Sequence, residues 1–200
     1  MIQIKRFIVM ACLALAIGWT SAGCSKYSDS KNYRTAKDPN EALDVREIAA
    51  YSLTDPALLA DIAKNEKEPT VRAAAVSRLT LDFPNSALFA DLAKNDEDYN
   101  VRVLAVGVST DPALLVDIAK NDVDWRVRVC AIIAMKDVLT DPAPFVDLAK
   151  HDEDWHVRRA AVRLGPMDPA TLAEIAENDE NSDVREAAER RLADLVEQAN

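Results

Sequence analysis

Apolar residues recur along this chain in short clusters three and four apart, and the clusters themselves repeat. The pair Val-Arg stands at Val45-Arg46, Val71-Arg72, Val101-Arg102, Val127-Arg128, Val157-Arg158 and Val184-Arg185, in steps of 26, 30, 26, 30 and 27 residues. Four positions after each valine comes an alanine: Ala49, Ala75, Ala105, Ala131, Ala161 and Ala188. Between the pairs lies a second module, "ALLADIAKN", "ALFADLAKN", "ALLVDIAKN", "APFVDLAKH" and "ATLAEIAEN", beginning at Ala57, Ala87, Ala113, Ala143 and Ala170. Self-similarity at a period of roughly 20–50 residues marks a repeat architecture. The reading is five two-part units preceded by half a unit at about 38–53.

Both parts have helical spacing. Leu59/Ile62, Phe89/Leu92, Leu115/Ile118, Phe145/Leu148 and Leu172/Ile175 lie three apart on one face of the first helix. Asp-Pro precedes it at Asp55, Asp111, Asp141 and Asp168, an N-cap followed by proline at the first helical position. Asn65, Asn95, Asn121 and Asn178 are expected to end it in the left-handed conformation. The second helix starts after Glu68, Asp98, Asp124, Asp154 or Asn181, with Pro69 at its first position in one unit. Its constant alanine fits close helix approach. Of the two four-residue length changes, "LTLDFPNSA" is expected to lengthen a loop and "AIIAMKDVLT" to extend a helix by about one turn. No strand-type alternation competes. One helix pair cannot bury its own apolar face, so the pairs are expected to stack into an all-α solenoid of short antiparallel helix pairs. The last helix turns charged at Glu186, Glu189, Arg190 and Arg191, as a polar cap would.

The recurring "D-x-D-W-x-V-R-x-A-A" and its variants resemble bacterial HEAT-like repeats, in particular the leucine-rich repeat variant type, over nearly all of 43–192. The resemblance implies a solenoid used mainly for protein–protein interaction. Some relatives in such families are chromophore lyases or their accessory subunits, and one variant type carries an iron–sulfur cluster on a cysteine cluster that this chain lacks.

The N-terminus has a different pattern. Lys5 and Arg6 precede an apolar run, Phe7 to Gly18, too short for the roughly 20 apolar residues of a membrane span and suited to a secretory signal. Thr20-Ser21-Ala22-Gly23-Cys24 resembles the lipobox of bacterial lipoproteins, departing from it at Ser21, where leucine is usual. That resemblance implies cleavage after residue 23 and an acyl lipid, palmitate among its chains, on Cys24. Ser25 in place of an acidic residue implies an outer-membrane, periplasm-facing destination in a cell that has one. The segment 24–37 is polar and reads as a flexible tether, leaving 38–200 as the solenoid.

Composition narrows the chemistry. Residues 38–200 hold 18 Lys/Arg against 33 Asp/Glu, 18 − 33 = −15, which disfavours nucleic acid and anionic headgroups as partners. After cleavage only Gly107 and Gly165 remain, too few for a glycine-rich phosphate loop. With Cys12 removed and Cys24 acylated, Cys130 is the one remaining thiol, which excludes an intrachain disulfide and a cysteine-ligated metal or cluster. No catalytic, cofactor or metal residue is assigned. The acidic turns lack the glycine and distal glutamate of an EF-hand loop, and capping is expected to account for them. His151 and His156, in "HDEDWH", align with siblings NEKEPT, NDEDYN, NDVDWR and NDENSD and read as part of a repeat boundary.

Three sets of residues remain as candidates. Arg46, Arg72, Arg102, Arg128, Arg158 and Arg185, with Asp61, Asp91, Asp117, Asp147 and Glu174 of the first helices, are expected to form a structural ladder. Tyr99, Trp125 and Trp155 hold equivalent places in consecutive units, either recognising a partner segment or covering a neighbouring loop. Val103, Val129, Ile133, Arg159 and Arg163, two or six residues after the valines, are either a partner groove or inter-helix core. The expected function is a non-enzymatic, monomeric, lipid-anchored envelope protein that binds another protein and takes no cofactor. An accessory lyase and a structural spacer are the alternatives.

Overall fold

In a computed structural model, residues 22–82 and 86–198 are described, and residues 1–21 of the expected leader at 1–23 lie outside them. Among the described residues there are twelve helices and no strand. They are α1 (Ala22–Lys37), α2 (Leu43–Tyr51), α3 (Pro56–Asn65), α4 (Pro69–Asp82), α5 (Ser86–Asn95), α6 (Tyr99–Val106), α7 (Pro112–Asn121), α8 (Trp125–Val138), α9 (Ala143–His151), α10 (Trp155–Leu164), α11 (Pro169–Asn178) and α12 (Ser182–Gln198). Each odd-numbered helix packs against the even-numbered helix after it, and each even-numbered helix packs against the next even-numbered one. The result is an all-α solenoid of two layers.

Small side chains explain why the even-numbered layer is the tight one. Ala75, Ala105, Ala131, Ala161 and Ala188 are fully buried, so the helix backbones approach closely along this layer. First-layer helices touch their layer neighbours only sparsely, and their apolar residues point instead into the space between the layers. Leu59, Leu115, Phe145 and Leu172 are fully buried there, each contributing roughly 1.5–3 kcal/mol of apolar burial. The valines Val71, Val101, Val127, Val157 and Val184 are buried too, whereas Val45 is 40% exposed because, among the described residues, no even-numbered helix precedes α2. Leu43 and Ile48 lie open on the same helix for the same reason. At the other end Glu186, Glu189 and Arg190 face solvent, as expected of a cap.

The asparagines do not adopt the left-handed conformation expected of them. Asn65, Asn121 and Asn178 are the last residues of α3, α7 and α11, and the chain leaves those helices through extended Glu66, Asp122 and Asp179 (φ between −65° and −76°, ψ 137°). The amide instead reaches back one turn, Asn65 Nδ2 to Asp61 Oδ1, Asn95 to Asp91 and Asn121 to Asp117, each at 2.9 Å. Both length changes fall on helices: α8 extends to Val138 as expected, and α4 runs 14 residues to Asp82 instead of yielding its extra residues to a loop.

The larger correction is at the N-terminal side. Residues 24–37, expected to be a flexible tether, lie in helix α1, which packs on α2 and completes a sixth helix pair. Asp29 is buried and accepts from Thr54 N at 2.9 Å and Thr54 Oγ1 at 2.7 Å. Ala36 is fully buried, and its carbonyl accepts from Arg46 Nε at 3.0 Å. Tyr33 Oη and Lys37 Nζ both donate to Asp61 Oδ2, at 2.6 and 2.8 Å. Asp29, Tyr33, Ala36 and Lys37 follow one helical stripe, held mainly by polar contacts.

Candidate functional site

The predicted ladder is two ladders with different partners. In the buried one, each arginine spans two units. Arg72 donates Nε and Nη2 to both oxygens of Asp96, at 2.9 and 2.7 Å, and Nη1 to the Glu66 carbonyl at 2.9 Å. Arg102 repeats this on Asp122, Arg128 on Asp152 and Arg158 on Asp179, with bonds of 2.8 to 3.1 Å. Arg46 makes a single 2.7 Å contact with Glu66. Arg185, in the last described unit, donates to the carbonyls of Asp179 and Glu180. The hydrogen bonds donated to Asp96, Asp122 and Asp179 hold the guanidinium pKa values of Arg72, Arg102 and Arg158 above their ordinary value. The acid comes from the turn, immediately after the first helix, and not from Asp61, Asp91, Asp117 or Asp147 as expected. Capping therefore does not account for the acidic turns alone. The third residue of the turn is the cap in four of them: Asp98 accepts from Asn100 N at 2.9 Å, Asp124 from Arg126 N at 2.9 Å, Asp154 from His156 N at 2.8 Å and Asn181 from Asp183 N at 2.9 Å.

Asp61, Asp91, Asp117, Asp147 and Glu174 belong to an outer ladder, paired with the lysine near the end of the preceding first-layer helix. The rungs are Lys37–Asp61, Lys64–Asp91, Lys94–Asp117, Lys120–Asp147 and Lys150–Glu174, at 2.6 to 3.0 Å. Lys37 and then Tyr33 hold the Asp61 carboxyl down to about 2. Asn95 and Lys64 lower Asp91, while Lys120 and His151 lower Asp147. His151 Nδ1 lies 3.1 Å from Asp147 Oδ1, in the contact the asparagine makes in other units.

Tyr99, Trp125 and Trp155 are half-buried; the faces of Tyr99 and Trp125 are taken by the residue that follows the equivalent position one unit on, and that of Trp155 by His156 and Arg159 of its own helix. The Arg126 guanidinium lies 3.6 Å over the Tyr99 ring. The His156 ring is 4.1 Å from Trp125 at 15° and 3.7 Å from Trp155 at 28°, stacked between two indoles. Arg159 covers Trp155 at 4.9 Å and reaches Asp183 at 3.6 Å. Arg126 is itself held by Asp124 at 2.5 Å, and His156 Nδ1 lies 2.9 Å from Asp154 Oδ1. The row joins units; its flat faces are occupied within the chain. Neither the stack nor the position after each ring was singled out from the sequence. The substitution of Arg126 and His156 where other units have Thr70, Asn100 and Asp183 was the available signal.

The remaining candidates divide along the second layer. Ala73, two residues after Val71 as Val103 is after Val101, is buried, so in α4 this position is inter-helix core. Val103 and Val129 are half-buried with one side on the core, and Ile133 is 47% exposed. Gly107 and Arg163 are exposed, and Arg159 is half-buried beside Trp155. Val103, Val129, Ile133, Arg159 and Arg163 thus form a strip across α6, α8 and α10, apolar in the middle and basic at one end. Cys130 lies within it, its Sγ 3.6 Å from the Val103 carbonyl, and burial raises its thiol pKa. A separate open cavity of about 510 Å³ between α3 and α5 is lined by Lys64, Lys67, Arg72, Asp91, Asp96 and Glu97. It is wholly polar in its charged rim, and Lys64 and Arg72 are already paired across it.

Among the described residues, no group of three His, Cys, Asp or Glu side chains is arranged to hold a metal ion. No helix there is long and apolar enough to cross a membrane. No protein-family model matches the sequence, and no curated protein matches it.

Proposed function

We propose that this chain is a non-enzymatic binding scaffold of the HEAT-like kind, exported and held at the cell envelope by an acyl chain on Cys24, where its second-layer strip takes up a segment of another protein. The observation that carries this reading is the strip itself: Ile133 stands 47% exposed between half-buried Val129 and exposed Arg163. Apolar anchors at helical spacing beside an unengaged cation fit an amphipathic helix laid across the stacked second helices. The two ladders support the same reading in another way. They fix the spacing of successive helices, so the strip presents its side chains at set intervals, which lowers the ordering cost of binding.

Affinity capture from envelope extract with the full chain tests it, using Ile133→Glu and Arg163→Glu beside Val123→Glu. Val123 is 90% exposed at a turn away from the strip. One protein enriched by the wild type and by Val123→Glu, and lost with both strip variants, is the expected result. The same recovery with all four chains removes the strip as the binding face, and no enrichment from any chain, cross-linked or not, leaves a structural spacer.

A further inference from the structure

We infer that the solenoid stands edge-on to the lipid surface, with its Asp-Pro loops toward the membrane and its acidic turns toward the aqueous side. This rests on the proposed acylation of Cys24. The direction of α1 carries the argument. Asp29 bonds to Thr54, just before α3, and Lys37 bonds to Asp61, farther along α3, so α1 runs parallel to α3. In the chain cleaved before Cys24, residues 24–28 therefore project past the start of α3 by about 7.5 Å, at 1.5 Å per residue. Cys24 lies in that projecting part. Because α1 is fastened by Asp29, Tyr33, Ala36 and Lys37, a lipid on Cys24 would hold the edge beside it close to the bilayer, with no slack segment between.

The two edges differ in charge. Turns 66–68, 96–98, 122–124, 152–154 and 179–181 read EKE, DED, DVD, DED and DEN, twelve acids against Lys67 alone. Loops 52–55, 107–111, 139–142 and 165–168 read SLTD, GVSTD, LTDP and GPMD, one acid each, four in all. Of those four, Asp55, Asp111, Asp141 and Asp168 all accept backbone N–H bonds at the start of a first-layer helix, where the helix dipole offsets their charge. A first-layer helix of ten residues separates the edges by about 15 Å, beyond the roughly 8 Å screening length at physiological salt. The acidic turns are thus shielded from headgroup phosphates when the loops face the membrane, and are driven against them in the reverse orientation. Exposed apolar side chains lie at both edges, with Tyr27 (79%), Leu81 (63%) and Val108 (41%) at the loop edge. At the acidic edge stand Val123, between Asp122 and Asp124, and Leu43 and Val45 at the start of α2.

The test uses the full chain with its acyl group, in a Cys130→Ala background. It is reconstituted into phosphatidylethanolamine–phosphatidylglycerol vesicles containing nitroxide-labelled lipid. A fluorophore is placed through Leu81→Cys, Val108→Cys or Val123→Cys, and intact mass reports the group on Cys24. Quenching several-fold stronger at 81 and 108 than at 123 is the expected result. Equal or reversed quenching on a chain whose Cys24 is acylated overturns the orientation alone. A mass with no acyl group on Cys24 overturns the anchoring and the orientation together.

Discussion

Asp152→Ala separates the two ladders most sharply. Arg128 and Asp152 have side chains only 5% and 6% exposed, and the guanidinium gives both Nε and Nη2 to the carboxylate, at 3.0 and 2.8 Å. Removing the acid leaves a desolvated cation with the Asp122 carbonyl, 2.9 Å from Nη1, and the solvent-exposed Glu153 carboxylate, 3.6 Å from Nη2, as its partners. Breaking a buried pair in this way costs roughly 3–5 kcal/mol, a large part of the 5–15 kcal/mol that holds a typical domain. Asp147→Ala breaks an outer rung whose partners are 39% and 48% exposed, and solvent screening limits its cost to about 0.2–1 kcal/mol. Urea unfolding followed by circular dichroism gives both values. Its slope shows whether unfolding stays cooperative, since a repeat array held by nearest-neighbour contacts can come apart at a weakened junction. Hydrogen exchange then locates the loss, which is expected at the α8–α10 junction. Asp152→Ala costing no more than Asp147→Ala would refute the claim that the buried ladder binds the units together.

Other consequences are specific. Gly165→Ala places a methyl carbon 2.4 Å from Phe145 Cβ and 2.6 Å from its Cγ, and since Phe145 is fully buried the variant should lose roughly 1–3 kcal/mol in the same urea assay. The backbone at Gly165 is ordinary extended chain (φ −77°, ψ 146°), so the loss is steric. Trp155→Ala removes the stack on His156 and the cover under Arg159, and should cost roughly 1–3 kcal/mol while leaving partner capture intact; lost capture at unchanged stability would make the ring a contact residue instead. Asp61, held at about 2 against an ordinary 3.8, binds its proton less readily folded than unfolded, so the stability it adds is fully present above 3.8 and disappears as pH falls through about 2. Hydrogen exchange in α1 should therefore accelerate across that window in the wild type and change less in Asp61→Asn; identical profiles would detach α1 docking from this carboxylate.

The repeat and its helices could be read from the sequence because each unit states the same pattern independently, and period, caps and constant alanine agree across units. The pairing within the ladders could not. Arginine and acid recur at fixed offsets in both helices and turns, and only the stagger of neighbouring units decides which acid meets Arg72. Helix α1 escaped for a different reason. Its stripe of Asp29, Tyr33, Ala36 and Lys37 is mostly polar, and a search for apolar periodicity passes over it. Ala36-Lys37 does match Ala63-Lys64, Ala93-Lys94, Ala119-Lys120 and Ala149-Lys150, which was the signal for a sixth first-layer helix. The two histidines are explained by the same alignment: His151 takes over the reach of an asparagine to Asp147, and His156 closes the stack between Trp125 and Trp155.

In-cell photo-crosslinking from single positions bears most directly on the binding role. A photoreactive side chain at Ile133 or Arg163 of the full chain should give one discrete adduct, with the same partner identified from both, and a chain carrying it at Lys120 on the outer ladder should not. Adducts that are absent from the strip, or equally strong from Lys120, would contradict the account.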